Sequence, residues 1–318
     1  MMFDTLYELL YNYHNETTYT MENKMSKTMK ILVGIPGSGK TTFRNKLVTE
    51  QGAVYTNMDE LRTKHAPILK KEGRNKFEKF IAAEEQRELR KLLADGHPLV
   101  VVDDTHLTMK GIEHHERLGA EYGYKVEVVF MEDSFDVVKC HKRNTSRPVE
   151  QHVPVYVVEE MAERFLNVHF QYHTRDVVVK KDREKAIICD LDGTLCHFNG
   201  RGPFEWHRVG EDTKDEVVSD LIDFYKSTGH VILMTSARDG VCYDLSKGWL
   251  ERHNVPFDEL IMKPENDNRK DVIVKMELYI KHIYENYDVK VAIDDRNVVC
   301  KLWRAVGLKC LQVNHGLY

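Results

Sequence analysis

The stretch "IICDLDGTLC", residues 187–196, runs an apolar strand into two aspartates one residue apart and then into a glycine. A short apolar run ending in a turn residue reads as a buried strand. Two acids at its end point to a site at the carboxyl edge of a sheet, where open α/β layers bind their ligands. A second stretch, "ILVGIPGSGKTT", residues 31–42, has the same outline: apolar strand, glycine-rich turn, helix start. The fold class expected from the pair is α/β with two domains.

Outward from these anchors the alternation of strand and helix patterns extends in both directions. From 29 to about 178 the sequence predicts strands at 30–35, 53–56, 98–103 and 125–130, with helices at 39–50, 74–95, 111–121 and 157–176. The charged "KKDREK" at 180–185 reads as a linker. Strands at 186–190, 230–235, 258–262, 290–294 and 309–313 follow, with helices between them, so both halves are expected to hold mainly parallel sheets. The expected division is an extension at 1–28, a first domain at 29–180 and a second at 181–318. The extension is rich in Tyr, Asn and Thr and carries Met21 and Met25. It reads as an appendage: an arm on a partner or another subunit, or the product of an upstream start codon.

With 318 residues the chain has room for about two domains that each bury a core. At 42% hydrophobic and 31% charged residues it has neither a low-complexity nor a disordered bias. No apolar run approaches the roughly 20 residues that span a bilayer, so no membrane association is expected. Asp4 and Glu8 interrupt any leader-like start, and cytoplasmic residence with reduced thiols follows as an expectation. Six cysteines without a C-x-x-C pair, and 16 histidines without H-E-x-x-H, give no support to zinc. The net charge of −5 leaves the partner class open.

"GIPGSGKT" at 34–41 fits G-x-x-x-x-G-K-[ST] through Gly34, Gly39, Lys40 and Thr41. Backbone N–H groups of such a loop, here from Gly37, Ser38 and Gly39 to Thr42, cradle phosphates, the lysine reaches the β and γ groups and the hydroxyl binds Mg²⁺. ATP and Mg²⁺ are the expected cofactors. An acceptor is expected at neighbouring strand ends. "TNMDELR" offers Asp59 to take a hydroxyl proton and Arg62, three residues on, to hold an acceptor phosphate. After "LVVVDD" Asp104, in preference to Asp103, is positioned to order Mg²⁺ and its waters. "KCHKRNTSRP" adds Arg143 and Arg147, four apart and aligned if helical, as positive charge for the donor phosphates. The bland alternatives are a helix-start acid beside a solvated arginine for Asp59 and Arg62, a plain turn for Asp103 and Asp104, and a solvated basic helix end for Arg143 and Arg147.

In the second half Asp190 reads as a carboxylate nucleophile and Asp192 as the acid that protonates a leaving oxygen. "VAIDDR" supplies Asp294 and Asp295, which with Asp190 and Asp192 make a hard-oxygen set for Mg²⁺. "VILMTSAR" puts Ser236 and Arg238 at a third strand end, and "NRKD" offers Lys270 to neutralise a phosphate. Together these motifs resemble, in order, the four of the haloacid dehalogenase superfamily of aspartyl-phosphate phosphatases. "HFNGRGPFEWHRVGEDTKD" at 197–215 falls where that superfamily inserts a cap. It is short enough to leave an open site, with Arg201 as a candidate substrate contact.

A P-loop kinase followed by such a phosphatase resembles the polynucleotide kinase/3′-phosphatase family of T-even bacteriophages over residues 29–318. "GIPGSGKT", Asp59 with Arg62, Asp104-Thr105, "RNTSR", "NGRGP" and "AIDDR" carry the likeness. Thr41 and Ala237 stand where that family has serine and glycine, and the extension at 1–28 has no counterpart. The resemblance implies Asp59 as general base on a 5′-hydroxyl, Arg62 on the acceptor phosphate, and Arg143 and Arg147 on ATP. It also implies removal of 3′-phosphate or 2′,3′-cyclic phosphate ends, action on RNA and DNA including cleaved transfer RNA ahead of a ligase, and a homo-oligomer, a tetramer in that family. Two competing readings remain: a metabolite kinase fused to a small-molecule phosphatase, and a scaffold with inactive halves.

Overall fold

The structure is a computed structural model and describes residues 27–68, 73–178 and 182–316. Most of the expected extension and part of the expected linker lie outside these residues. Two compact units emerge from the chain's contacts. One holds the described residues up to 34 with 39–106 and 110–131, and the other holds 35–38, 107–109 and 132 onward.

In the first unit β1 (Thr28–Val33), β2 (Val54–Thr56), β3 (Leu99–Asp103) and β4 (Lys125–Phe130) form a parallel sheet in the order β2-β3-β1-β4. The central pair is the apolar pair, because a parallel strand with neighbours on both sides has both faces covered. Ile31, Leu32 and Val33 on β1 and Val100, Val101 and Val102 on β3 are fully buried. Helices α1 (Lys40–Gln51), α2 (Met58–Lys64), α3 (Arg74–Ala94) and α4 (Met109–Glu121) connect the strands. α1 starts at Gly39 and stops at Gly52, both left-handed with φ of 93° and 64°, a conformation glycine takes without steric cost. Asn57 caps α2 by accepting the Glu60 N–H. α3 buries Phe77, Ile81, Glu85, Leu89 and Leu93 at helical spacing, and the charged member of that stripe, Glu85, accepts the Thr56 hydroxyl at 3.0 Å.

The second unit begins with α5 (Val137–Thr145) and α6 (Val155–Thr174). α6 buries Phe165, Leu166 and Phe170, and the Phe170 ring lies 5.1 Å from that of Tyr284. Spatial grouping therefore departs from chain order, since residues 132–178 belong with the C-terminal unit. That sheet comprises β5 (Glu184–Asp190), β8 (Val231–Ser236), β9 (Glu259–Met262), β10 (Tyr287–Arg296) and β11 (Cys310–Gly316), parallel in the order β11-β10-β5-β8-β9. β6 (Cys196–His197) and β7 (Thr213–Lys214) form a small antiparallel pair. α7 (Glu216–Ser227), α8 (Tyr243–Arg252), α9 (Asp271–Leu278) and α10 (Asn297–Ala305) complete the layers. The last two residues of "KKDREK" open β5, paired with Tyr287 and Asp288.

Register fixes the site. β5 is central, with Cys189 level with Ile293 of β10 and Asp190 level with Thr235 of β8. The carboxyl ends of three neighbouring strands thus bring Asp190, Asp294, Asp295, Thr235 and Ser236 to one edge.

Candidate functional site

In the first unit Lys40 folds back over its own loop, and its Nζ donates to the Gly34 carbonyl at 2.8 Å. Thr41 and Thr42 are exposed on the first turn of α1. Asp59 is open to solvent, its side chain 85% exposed, and accepts from Arg62 Nη1 at 2.6 Å. Arg62 also binds Glu78 of α3, with Nη2 at 3.0 Å, a partner that the sequence reading missed because it lies on another helix. The two residues expected to share a face do so.

Asp103 and Asp104 diverge. Asp104 Oδ1 accepts the Met58 N–H at the start of α2 at 3.1 Å. Burial, reinforced by the negative charge of Glu85 and opposed by that N–H, pushes its carboxyl up to about 8. Asp103 faces Arg44, with Nη1 at 3.4 Å from Oδ2, and that buried oxygen accepts no hydrogen bond among the described residues. Burial raises its pKa while the Lys40 and Arg44 charges work against the rise. The carboxylate with an open acceptor beside the loop lysine is thus Asp103, the one ranked second from sequence.

In the second unit Gly37 has a φ of 83°, and a Cβ built on it would stand 2.1 Å from the Cys140 carbonyl oxygen, so only glycine fits. Ser38 is buried and its hydroxyl has no partner among the described residues, an orphaned donor in a loop of backbone N–H groups that suits a phosphate oxygen. Arg143 of α5 donates to the Gly37 carbonyl at 3.3 Å and to Asp133 at 2.5 Å. The expected helical alignment of Arg143 with Arg147 is not formed. α5 ends at Thr145 ahead of Pro148, which disfavours helix in the residue before it, and Arg147 lies beyond its end.

Around β5 the geometry is tighter. Asp190, Asp294 and Asp295 are buried and each offers a carboxylate oxygen within 4.8 Å of the others. Lys275 of α9 lies between two of them, its Nζ 2.8 Å from both Asp190 Oδ1 and Asp294 Oδ2. Burial opposes its charge, but the two carboxylates outweigh burial and hold its pKa above the ordinary lysine value. Burial pushes Asp190 up to about 8, with Lys275 pulling it down and Asp294 adding to the rise. Asp294 also accepts from Trp303 Nε1 at 3.2 Å. Asp295 Oδ2 has no hydrogen-bond partner among the described residues, and a Cβ on Gly193, at φ 79°, would stand 2.4 Å from it. Three acids against one ammonium, with an orphaned buried carboxylate oxygen, are a donor set that fits Mg²⁺.

Asp192 is not part of that trio. Its Oδ1 lies 2.8 Å from Arg201 Nη2 and 2.7 Å from Arg238 Nη2, and its Oδ2 accepts from Arg238 Nε at 2.9 Å. Asp212 pairs with the same two arginines at 2.6 and 2.7 Å. Both guanidinium groups are fully buried, and Arg201 and Arg238, expected as substrate contacts, bind Asp192 and Asp212 in this structure. Ser236 Oγ accepts the Arg238 N–H at 3.2 Å. Lys270 stands apart from these acids, its ammonium on Asp136 at 2.7 Å. The lysine that meets the aspartates is Lys275, and its signal in the sequence was a lone cation inside the apolar run "DVIVKMEL". Asp212, one acid among several in "GEDTKD", had no such signal.

These features amount to a glycine-rich loop with the P-loop pattern on one parallel sheet and a buried aspartate–lysine cluster at the carboxyl edge of another on the same chain. Residues 184–318 match the family model of the polynucleotide kinase PNKP phosphatase domain, and residues 29–170 match that of an AAA domain. The two matched segments follow one another along the chain, the AAA domain first. A protein of Autographa californica nuclear polyhedrosis virus, described as a bifunctional polynucleotide kinase/RNA ligase, is 25% identical over 92% of this chain, which spans 43% of that protein's length. A structure of the Pnkp1/Rnl/Hen1 RNA repair complex is 26% identical over 92% of this chain and 97% of its own, with a TM-score of 0.43. A tungstate-bound class C acid phosphatase from Bacillus anthracis is 17% identical over 48% of this chain and 78% of its own, with a TM-score of 0.34. Among the described residues no helix is long and apolar enough to cross a membrane.

Proposed function

We propose that the protein heals broken polynucleotide ends: it transfers the γ-phosphate of ATP to a 5′-hydroxyl and removes a 3′-phosphate or 2′,3′-cyclic phosphate. The observation that carries this reading is the co-occurrence, on one chain, of a phosphate loop with the Asp59–Arg62 pair and a buried Asp190–Lys275 centre whose segment matches a polynucleotide kinase phosphatase domain. RNA and DNA ends, cleaved transfer RNA among them, are the proposed substrates, with a ligase acting afterwards and a homotetramer as the working assembly. The division into catalytic modules is proposed near residue 180.

In the kinase reaction Asp59 takes the proton of the attacking hydroxyl, for which its exposure leaves room, and Arg62 holds the acceptor phosphate. Lys40 and the loop N–H groups hold the ATP phosphates, with Thr41 and Asp103 or Asp104 available to Mg²⁺ and Arg143 and Arg147 to the donor charge. In the phosphatase reaction an Asp190 oxygen attacks phosphorus, and the bond from phosphorus to the leaving 3′-oxygen breaks as that oxygen takes a proton from Asp192. Water then cleaves the acyl-phosphate, with Asp192 accepting a proton, and Asp190 is regenerated. Arg201 and Arg238 fix Asp192 for both transfers, and Lys275 offsets charge at Asp190. Mg²⁺ held by Asp190, Asp294 and Asp295 would screen phosphate charge from the nucleophile.

The test is a single incubation with Mg²⁺, labelled ATP and a short RNA carrying a 5′-hydroxyl and a 3′-phosphate, with the two ends resolved separately. Label at the 5′ end together with loss of the 3′-phosphate is expected. Unchanged ends with ATP turnover on small hydroxylated metabolites would sink the reading in favour of a metabolite kinase.

A further inference from the structure

Lys270 was marked by the sequence for a phosphatase role that Lys275 occupies instead. Its ammonium binds Asp136 at 2.7 Å. Asp136 is the N-cap of α5, where its other oxygen accepts the Lys139 N–H at 2.9 Å. Lys270 is the corresponding residue of α9, the helix that carries Lys275. The pair therefore joins the starts of two helices, and all its residues belong to the second unit.

The two helices differ in how much else holds them. α9 buries Val272, Ile273, Val274, Lys275, Met276 and Leu278, and Arg296 pairs with its first residue, Asp271. It keeps its place without Lys270. α5 has nine residues and buries Cys140 and Asn144 alone. A helix that short has little stability of its own and takes its position from its contacts. Asn144 fixes the far end, through the Val153 carbonyl at 2.7 Å and the Val153 N–H at 3.2 Å. Asp136 fixes the near end. Between these ends α5 abuts the phosphate loop, where the Cys140 carbonyl leaves no room for a side chain at Gly37 and Arg143 reaches the Gly37 carbonyl at 3.3 Å. A shift of α5 is thus felt by the loop and by its arginine together.

We propose that Lys270 is a positioning residue for the kinase reaction: its ion pair with Asp136 holds the helix that presents Arg143 beside the phosphate loop. A residue in the phosphatase stretch of the sequence thereby sets the affinity of the other site for its donor. The inference rests on the kinase reading of that loop.

The experiment uses the full chain with Asp136→Asn, Lys270→Met and the double variant. Asparagine caps a helix as well as aspartate does, so Asp136→Asn removes the ion pair and leaves the cap. Three quantities are read: kcat and KM for ATP in 5′-phosphorylation, the Kd for a fluorescent ATP analogue without acceptor, and kcat/KM for phosphate release from a 3′-phosphorylated oligonucleotide. A half-exposed ion pair carries a modest energy, so each single variant is expected to raise KM and Kd about two- to fivefold with kcat little changed. The double variant is expected to be no worse than either single one, the mark of a shared interaction, and phosphate release to stay at the wild-type rate. Unchanged KM and Kd would overturn the proposal. So would loss of phosphate release in Lys270→Met, with or without a kinase defect, since Lys270 would then serve the phosphatase directly. Should the wild-type chain phosphorylate no 5′-hydroxyl, the functional reading fails by itself, and the Kd for the ATP analogue still decides the role of Lys270.

Discussion

Two carboxylates proposed for catalysis stand in opposite surroundings. The Asp59 side chain is 85% exposed and rests against one half-buried arginine, whereas that of Asp190 is 5% exposed and is flanked by Lys275, Asp294 and Asp295. An exposed acid leaves its environment to be completed by what binds. A buried one has its electrostatics fixed in advance by the fold, where charges act through a medium of lower dielectric. On the proposed reading the kinase side is completed by ATP and acceptor, and the phosphatase side is ready before its phosphorylated end arrives.

The sharpest way to break this contrast is to remove each carboxylate in turn. Asp190→Asn is expected to cost at least about 10³-fold in phosphate release from a 3′-phosphorylated RNA while sparing 5′-phosphorylation, because the nucleophile and its proton donor act as a unit. Asp59→Asn should cost about 10²- to 10⁴-fold in transfer from labelled ATP and leave phosphate release intact, the range for a positioned general base. If either change silenced both activities, the two centres would not be independent.

A third variant tests preorganisation rather than chemistry. Lys275→Met leaves Asp190 and Asp294 facing each other without their cation. Denaturant unfolding in EDTA is expected to show a loss of about 3 kcal/mol, as for one partner deleted from a buried ion pair. Mg²⁺ should recover part of it. No comparable loss is expected from Arg62→Met, whose partners Asp59 and Glu78 both reach water, and equal losses would erase the contrast between the two carboxylates.

The smallest expected effect comes from Asp104. Its pKa of about 8 in the folded chain lies far above the value near 4 of an unfolded aspartate. Between these values the unfolded chain binds fewer protons than the folded one, so stability falls as pH rises through that window. Asp104→Asn removes the dependence while its side-chain oxygen still accepts the Met58 N–H. Measured against wild type at pH 5 and pH 6, the variant should gain stability at the higher pH by about 1 kcal/mol. A gain equal at both values would show that Asp104 ionises normally.

Much of this was legible in the sequence because it depends on local pattern. Apolar runs of strand length, several of them ending in glycine or aspartate, determined the parallel α/β class, and Gly34 to Thr41 and Asp190 to Gly193 marked their strand ends without reference to anything distant. What only the tertiary structure decided is which side chains meet from separate elements. Lys275 rather than Lys270 reaches Asp190, since the turn of α9 points the later residue inward. Arg201 and Arg238 close on Asp192 instead of opening to substrate, since Asp212 draws both inward. Residues 132–178 group with the C-terminal unit because the apolar face of α6 is buried against α10 and the segment 279–284, in contacts remote along the chain. Periodicity reports which face of an element is apolar, and not which surface will cover it.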